Sequence, residues 1–390
     1  MLLLVAGIAI FFINNPVHAM SAVLNTAFSS AAHTTATPSI KPVTNLSVVK
    51  MKQTDPLVKA IDEIDDARVI LVGETHTRFD HHLVQLEILK LLYQKSAKLA
   101  IGVEWFQQPV QEHLDAYISG DIDEAEMLQK TGYFDRWRYD YRLYRPILQY
   151  ARENKIAVIA LNASKELSEA LREKDFDDLP EELRKQLPKS YDWSDKAYEE
   201  RLRSVFYQHP EYSGGFEKFL TGQLTWDESM AERTADYLQN NPDARMLVLA
   251  GSGHIAHGSG IPDRIQRRID VEQSSILISE DYLTISEDSA DLLVLSPLQA
   301  LGPAGLIGAF LESEGKLLTI KDFSADSAAK DAGLEAGAVI IAVDDIEVNS
   351  FADFKLAVLD KKPGDSIELH YIENAESGHK DKKLVRIELR

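Results

Sequence analysis

Four short apolar runs rich in branched residues, with long helical stretches between them, constrain this chain most. They are Ala67 to Val72, Leu99 to Val103, Ile156 to Leu161 and Met246 to Ala250. A run with no polar alternation suits a strand buried on both faces, and such strands belong to parallel sheets covered by helices. Between the runs the apolar spacing becomes helical: Asp80 to Tyr93 carries Val84, Ile88, Leu91 and Leu92 on one stripe. The alternation predicts an α/β domain over residues 51–283, a mainly parallel sheet flanked by helices. Within it, Thr225-Trp226-Asp227-Glu228 has capping-box spacing and predicts a helix opening at Thr225 and running through Tyr237. Glu173 to Arg203 is strongly charged with few apolar positions, and reads as a helical insertion on the surface.

The pattern changes after about residue 285. Glu312 to Arg390 has short strands, Gly-bearing turns and one helix. A small, mainly-β second domain is expected over 290–390, with the boundary between 283 and 290; a chain of 390 residues suits two domains.

Charge narrows the partners. There are 42 Lys and Arg against 62 Asp and Glu, a net −20. Nucleic acid needs a basic footprint that nothing here supplies, and an anionic membrane surface would repel the chain. With no cysteine, neither thiolate chemistry nor disulfides are open to it, and a lipoprotein anchor is excluded. The first residues, Met1 to Asn14, are nearly all apolar but short for a membrane span. They lead into Val17-His18-Ala19, the small-residue spacing of a signal-peptidase site. Residues 1–19 are therefore expected to be a signal peptide that exports the protein to the periplasm. No Lys or Arg precedes the apolar run, which leaves a retained anchor as the other reading. Residues 20–50, rich in Ser, Thr, Ala and Pro, read as a flexible linker.

In open parallel sheets, ligands bind beyond the carboxyl ends of the strands. The first run ends in Gly73-Glu74-Thr75-His76, the second in Glu104-Trp105, the third in Asn162 and the fourth in Gly251-Ser252-Gly253-His254. Two Gly-x-x-His elements and a carboxylate thus converge on one sheet edge. Histidine supplies a neutral nitrogen ligand or a proton carrier, and Glu74 and Glu104 could hold a hard cation, orient an imidazole or act as acid and base. His81 and His82 open the following helix, with Gln85 one turn beyond His81, on the face that points back to the strand ends. No His-Glu-x-x-His occurs, which closes the usual zinc-protease route.

A second cluster, Gly132 to Arg145, sets Tyr133, Phe134, Trp137, Tyr139, Tyr141 and Tyr144 among Arg136, Arg138, Arg142 and Arg145. Flat apolar area plus guanidinium groups suits a planar ligand with carboxylate tails, and a tyrosine oxygen can be an axial ligand of haem iron. The same residues equally suit an amphipathic segment packed on the sheet, its Arg stems covering apolar surface.

Gly73-Glu-Thr-His76, His81-His82 with Gln85, Gly102-Val-Glu104, Tyr144-Arg-Pro146, Trp226-Asp-Glu-Ser-Met-Ala231, Gly251-Ser-Gly-His254 and Gly260-Ile-Pro262 occur in this order. Over roughly Asp55 to Ile269 the set resembles the ChaN-like haem-binding uptake family. The resemblance implies a periplasmic or surface protein that binds haem or another iron compound between two subunits, a homodimer, in iron acquisition. It implies a tyrosine on the iron, first Tyr144 and then Tyr133, with His76, His81, His82 and His254 around the cofactor. Family members are often lipid-anchored, from which this chain departs. The fold is similar also to the Tiki and erythromycin esterase families. That likeness implies Glu74, His76, Glu104 and His254 as a divalent-metal or acid–base centre, so a metal-dependent hydrolase or peptidase stands as the alternative. The C-terminal part resembles a bacterial PDZ domain through Ser324 to Leu334, Gly337 to Val343 and Pro363-Gly364-Asp365. Its peptide-binding loop would be Gly305-Leu306-Ile307-Gly308, which implies capture of the C-terminal peptide of a protein partner.

Overall fold

The computed structural model describes residues 55–208, 214–280, 285–373 and 381–390; the expected signal peptide and linker lie outside the described residues. The four apolar runs form β1 (Val69–Glu74), β2 (Leu99–Gln107), β3 (Ala157–Asn162) and β4 (Arg245–Gly251). With β5 (Gln273–Ser279) and β6 (Leu292–Leu295) they build one parallel sheet in the order β3-β2-β4-β1-β5-β6. Successive side chains face opposite layers. Ile70, Val72, Ile101, Val103, Leu247 and Leu249 pack on one face, and Val69, Leu71, Ala100, Met246 and Val248 on the other. The helix Phe79–Lys95 covers the first face with Ile88, Leu89 and Leu92. The helix Gly215–Asn240 covers the second with Met230, Ala231 and Leu238. Each such side chain contributes roughly 1.5–3 kcal/mol by leaving water.

Two expectations change. Thr225 lies inside the helix Gly215–Asn240, and its hydroxyl donates to the Thr221 carbonyl at 2.7 Å instead of capping an amide. Phe219, Leu220 and Leu224 start the apolar stripe before Thr225, so the helix has no reason to begin there. The segment Glu173 to Arg203 does form helices, and one of them, Lys196–Phe206, buries Tyr198 and Leu202 against Phe219 and Leu224. The first sheet also runs past the expected boundary, because β6 pairs with β5 through Leu295. A half-exposed edge strand of 4 residues leaves little sequence signal.

A second, antiparallel sheet follows: β7 (Ala309–Glu314), β8 (Leu317–Phe323), β9 (Val339–Val343), β10 (Ile346–Glu347), β11 (Ser366–Ile372) and β12 (Lys382–Glu388). Its order is β12-β11-β9-β8-β7, with β10 on β9, so β7 is an edge. Leu318, Ile320, Ile340, Val343, Leu369 and Ile387 form its core. The helix Phe351–Ala357 serves both domains. Phe354 and Val358 belong to the second core, while Ala352, Leu356 and Leu359 pack on the first. Gln129 Nε2 donates to Asp353 at 3.2 Å, and Arg145 pairs with Asp360 across the same junction. Among the described residues no helix is long and apolar enough to cross a membrane.

Candidate functional site

Strand register sets the site. Glu74 stands beside Gly251 where β1 and β4 pair, so both strands deliver their last residues at one level. On β2 the pairing with β3 shifts between Val103 and Gln107, and Glu104 sits in that irregularity. Its Oε2 accepts the Gly251 amide at 2.7 Å. Gly251 must be small: a Cβ there would lie 2.9 Å from His76 Cε1.

His76 and Glu74 form one half of the site. The ring Nδ1 lies 2.5 Å from Glu74 Oε1, while Glu74 Oε2 is buried without a hydrogen-bond partner. The Glu74, His76 and Glu104 donor atoms all lie within 4.8 Å of one another. The other half is a buried chain: Tyr198 Oη donates to Asp227 Oδ2 at 2.5 Å, and Asp227 Oδ1 meets His254 Nδ1 at 2.5 Å. His254 Nε2 then faces Glu104 Oε1 at 3.4 Å. Gly260, at φ +79°, passes so close that a Cβ would meet the His254 carbonyl at 2.4 Å.

Electrostatics follow from this packing. Burial pulls the His254 pKa down, but Asp227 and Glu104 outweigh it, and the group is held well above its ordinary range. Burial alone would raise Glu104; the His254 and His76 charges and the Gly251 amide instead hold it at about 2. Burial also opposes charge on His76, yet Glu74 and Glu104 raise it. Carboxylates and imidazoles thus favour one another's charged forms at His254, His76 and Glu104, against the burial that opposes them.

His81 and His82 are both buried, so neither is solvated. His81 Nδ1 accepts the Thr75 amide at 3.1 Å and fixes the turn after β1. Burial pulls its pKa to about 4, which keeps the ring neutral for that role. Gln85 pairs not with His81 but with His82, at 3.2 Å, and donates to the Val72 carbonyl. His82 Nε2 approaches the His76 carbonyl at 3.2 Å. Asn162 accepts from the next residue's amide and stays outside the cluster.

The tyrosines of the aromatic segment lie at different depths behind His76. Tyr144 is fully buried, its ring against His82 at 4.4 Å and Trp105 at 4.6 Å, and Tyr133 is buried behind it with an unpartnered hydroxyl. The Tyr144 hydroxyl is directed at the His76 carbonyl, 3.5 Å away. Tyr139 is the partly exposed one, and its ring stands against His76. Its ring lies 4.9 Å from His76, and Trp137 flanks the same imidazole at 5.0 Å. The hydroxyl of Tyr139 is unpartnered, and burial together with Glu104 and Glu74 raises its pKa. Asp227 and Tyr198 were not singled out by the sequence reading. Asp227 carried a signal, since it lies in the Trp226–Ala231 motif, whereas Tyr198 carried none.

At the second domain, Gly308 takes φ +70°, and a Cβ would lie 2.7 Å from Ser327 Cα, so this loop position requires glycine. The loop Gly305–Gly308 runs into the edge strand β7, beside the helix Phe351–Ala357.

A family model described as haem-binding uptake, Tiki superfamily, ChaN, matches residues 60–265, and a PDZ domain model matches 305–387. The solved structure of cofacial heme binding to ChaN of Campylobacter jejuni is 19% identical, covering 61% of this chain and 91% of that one, with a TM-score of 0.50. The PDZ domain of the carboxy-terminal protease from Vibrio cholerae, solved in complex with peptide, is 23% identical over 22% of this chain and 93% of its own, at a TM-score of 0.19. A curated Arabidopsis thaliana protein, RETICULATA-RELATED 5, chloroplastic, is 24% identical over 236 residues; the match spans 56% of this chain and 32% of the relative. The chain thus spans about a third of that relative's length. The first of these models covers more than half of the chain, and the parallel sheet carries that model's domain: this protein belongs to the haem-binding uptake family ChaN of the Tiki superfamily, and bears a PDZ domain after it.

Proposed function

We propose that this protein binds haem at the mouth formed by His76, Trp137 and Tyr139. One observation carries the reading: an imidazole flanked by two aromatic rings at 5.0 and 4.9 Å, with an unpartnered tyrosine hydroxyl beside it. The donor set fits the group, since flat apolar area receives a porphyrin face and the Tyr139 oxygen offers an axial ligand. Bound haem would supply an iron for a tyrosine oxygen to ligate and carboxylates for cationic side chains to pair with. The chain's own residues do the rest. Glu74 holds the His76 ring in place, Glu104 and His254 fix the floor below it, and Trp137 excludes water from one side. Family membership and the haem named for the Campylobacter jejuni relative support the same reading. In it the protein is exported to the periplasm, a second copy covers the mouth, and the cargo serves iron uptake. The PDZ domain captures a partner's peptide as an added strand on β7.

Haem titration followed by absorption spectroscopy tests this. A Soret band saturating at fixed stoichiometry is expected, shifted by Tyr139→Phe, weakened by His76→Ala and unchanged by Tyr144→Phe. A band that never saturates sinks the reading.

A second reading rests on a different observation, the Glu74, His76 and Glu104 donor atoms within 4.8 Å and the orphaned Glu74 Oε2. Two carboxylates and an imidazole suit a divalent cation, which would support hydrolysis. Equilibrium dialysis against Zn or Mn with elemental analysis decides it. One equivalent retained by the wild type and lost in Glu74→Gln supports a metal centre; none retained ends it.

A further inference from the structure

The groove between β7 and the helix Phe351–Ala357 encloses about 300 Å³, and two residues of the first domain, Asp140 and Arg142, complete its wall. Ile307, Phe310, Phe354 and Val358 supply apolar lining. Arg142 is mostly buried there, with 16% of its side chain exposed. Its guanidinium forks onto Asp140, Nη2 to Oδ2 at 2.7 Å and Nε to Oδ1 at 3.1 Å. Nη1 has only a long contact, 3.4 Å, to the carbonyl of Pro303, just before the Gly305–Gly308 loop.

In that loop the Gly305 amide donates to the Lys361 carbonyl and the Leu306 amide to the Arg390 carbonyl, at 2.9 and 2.8 Å. Among the described residues nothing accepts from the amides of Ile307 and Gly308. Two unspent backbone donors lining the same groove as a guanidinium with a weakly used nitrogen suit a carboxylate. The surrounding protein, at net −20, repels anions, so a local cation matters more here than on a neutral protein.

Resting on the peptide-capture reading above, we propose that Arg142 belongs to the peptide site. It holds the terminal carboxylate of a captured peptide together with the Ile307 and Gly308 amides, and the site is complete only with the two domains docked. Asp140 is then a competitor: it occupies the same guanidinium and must yield part of it when the peptide arrives.

The test uses the full chain and fluorescence polarisation with labelled heptapeptides ending in Val, Leu, Phe or Ala, each made as free acid and as amide. Wild type is expected to prefer the acid by roughly ten- to a hundredfold, the size of a charge-assisted hydrogen bond. Arg142→Gln should reduce that preference to within about threefold. Arg142→Lys should fall between, since it keeps the charge without the fork. Asp140→Asn should tighten acid binding. This variant also separates a recognition role from a structural one, because lost packing around the Asp140–Arg142 pair would weaken both. An acid preference identical in wild type and Arg142→Gln overturns the proposal while leaving peptide capture intact. A wild type that binds both forms equally overturns carboxylate recognition and with it the role of Arg142, whereas one that binds neither form overturns peptide capture itself.

Discussion

His254 Nδ1 and Asp227 Oδ1 sit 2.5 Å apart with both side chains sealed from solvent, one at the end of β4 and the other on the helix Gly215–Asn240. That contact ties the helical layer to the sheet edge that carries the site. Removing Asp227 leaves the buried His254 with Glu104 as its remaining counter-charge, and breaking such a pair costs about 3–5 kcal/mol at most. Asp227→Ala should therefore lower the urea midpoint sharply at unchanged m-value. Tyr198→Phe, which removes only a donor from Asp227, should cost about 1–3 kcal/mol. Equal small effects from both would show that the pair does not hold the layers together.

The pH dependence has a defined sign. The raised His254 pKa gives stability that is whole below 6.5 and is lost as pH climbs through the folded value. Glu104, drawn from 4.5 to about 2, gives stability present above 4.5 and lost as pH falls towards 2. The melting-temperature gap between wild type and His254→Gln should be widest between 4.5 and 6.5 and narrow on either side. A gap independent of pH would mean that these groups do not titrate as a unit.

Gly251 has an ordinary φ of −58°, so an alanine there meets no backbone strain, only the His76 ring at 2.9 Å. Gly251→Ala should push that ring off its seat between Trp137 and Tyr139. The overpacking costs about 1–3 kcal/mol. Ligand binding at the mouth should fall by at least about tenfold, because a displaced side chain no longer presents its nitrogen. Isothermal titration beside a thermal melt separates the two effects. Retained affinity would place the ligand away from His76.

Ala352 belongs to the PDZ domain in sequence but to the first domain's core in space, with 9% of its surface exposed. Ala352→Glu buries a carboxylate in that junction and should separate the domains. Calorimetry should then show two transitions in place of one. A single unchanged transition would show that the junction contributes nothing to cooperativity.

The central sheet was legible because β1 to β4 are buried on both faces and so carry uninterrupted apolar runs. β5 begins with Gln273, Ser274 and Ser275, and β6 is short, so neither stood out. At the site, Glu74, His76, Glu104 and His254 were readable because strand ends are predictable meeting points. Tyr139 and Tyr144 were not separable. Both lie in one aromatic segment, and only packing decides that Tyr139 stands against His76 and Tyr144 against His82 and Trp105. Arg142 was similarly opaque, since its place in a groove of the second domain depends on docking that local sequence does not encode.

The stretch from Trp137 to Arg142 faces two ways: its aromatic end flanks His76, and its charged end borders the peptide groove. On the proposed reading of that groove, a tail gripped by its terminus would be anchored a few residues of backbone away from the imidazole. Its owner would be brought to the cargo opening at a fixed bearing, with no swinging tether between.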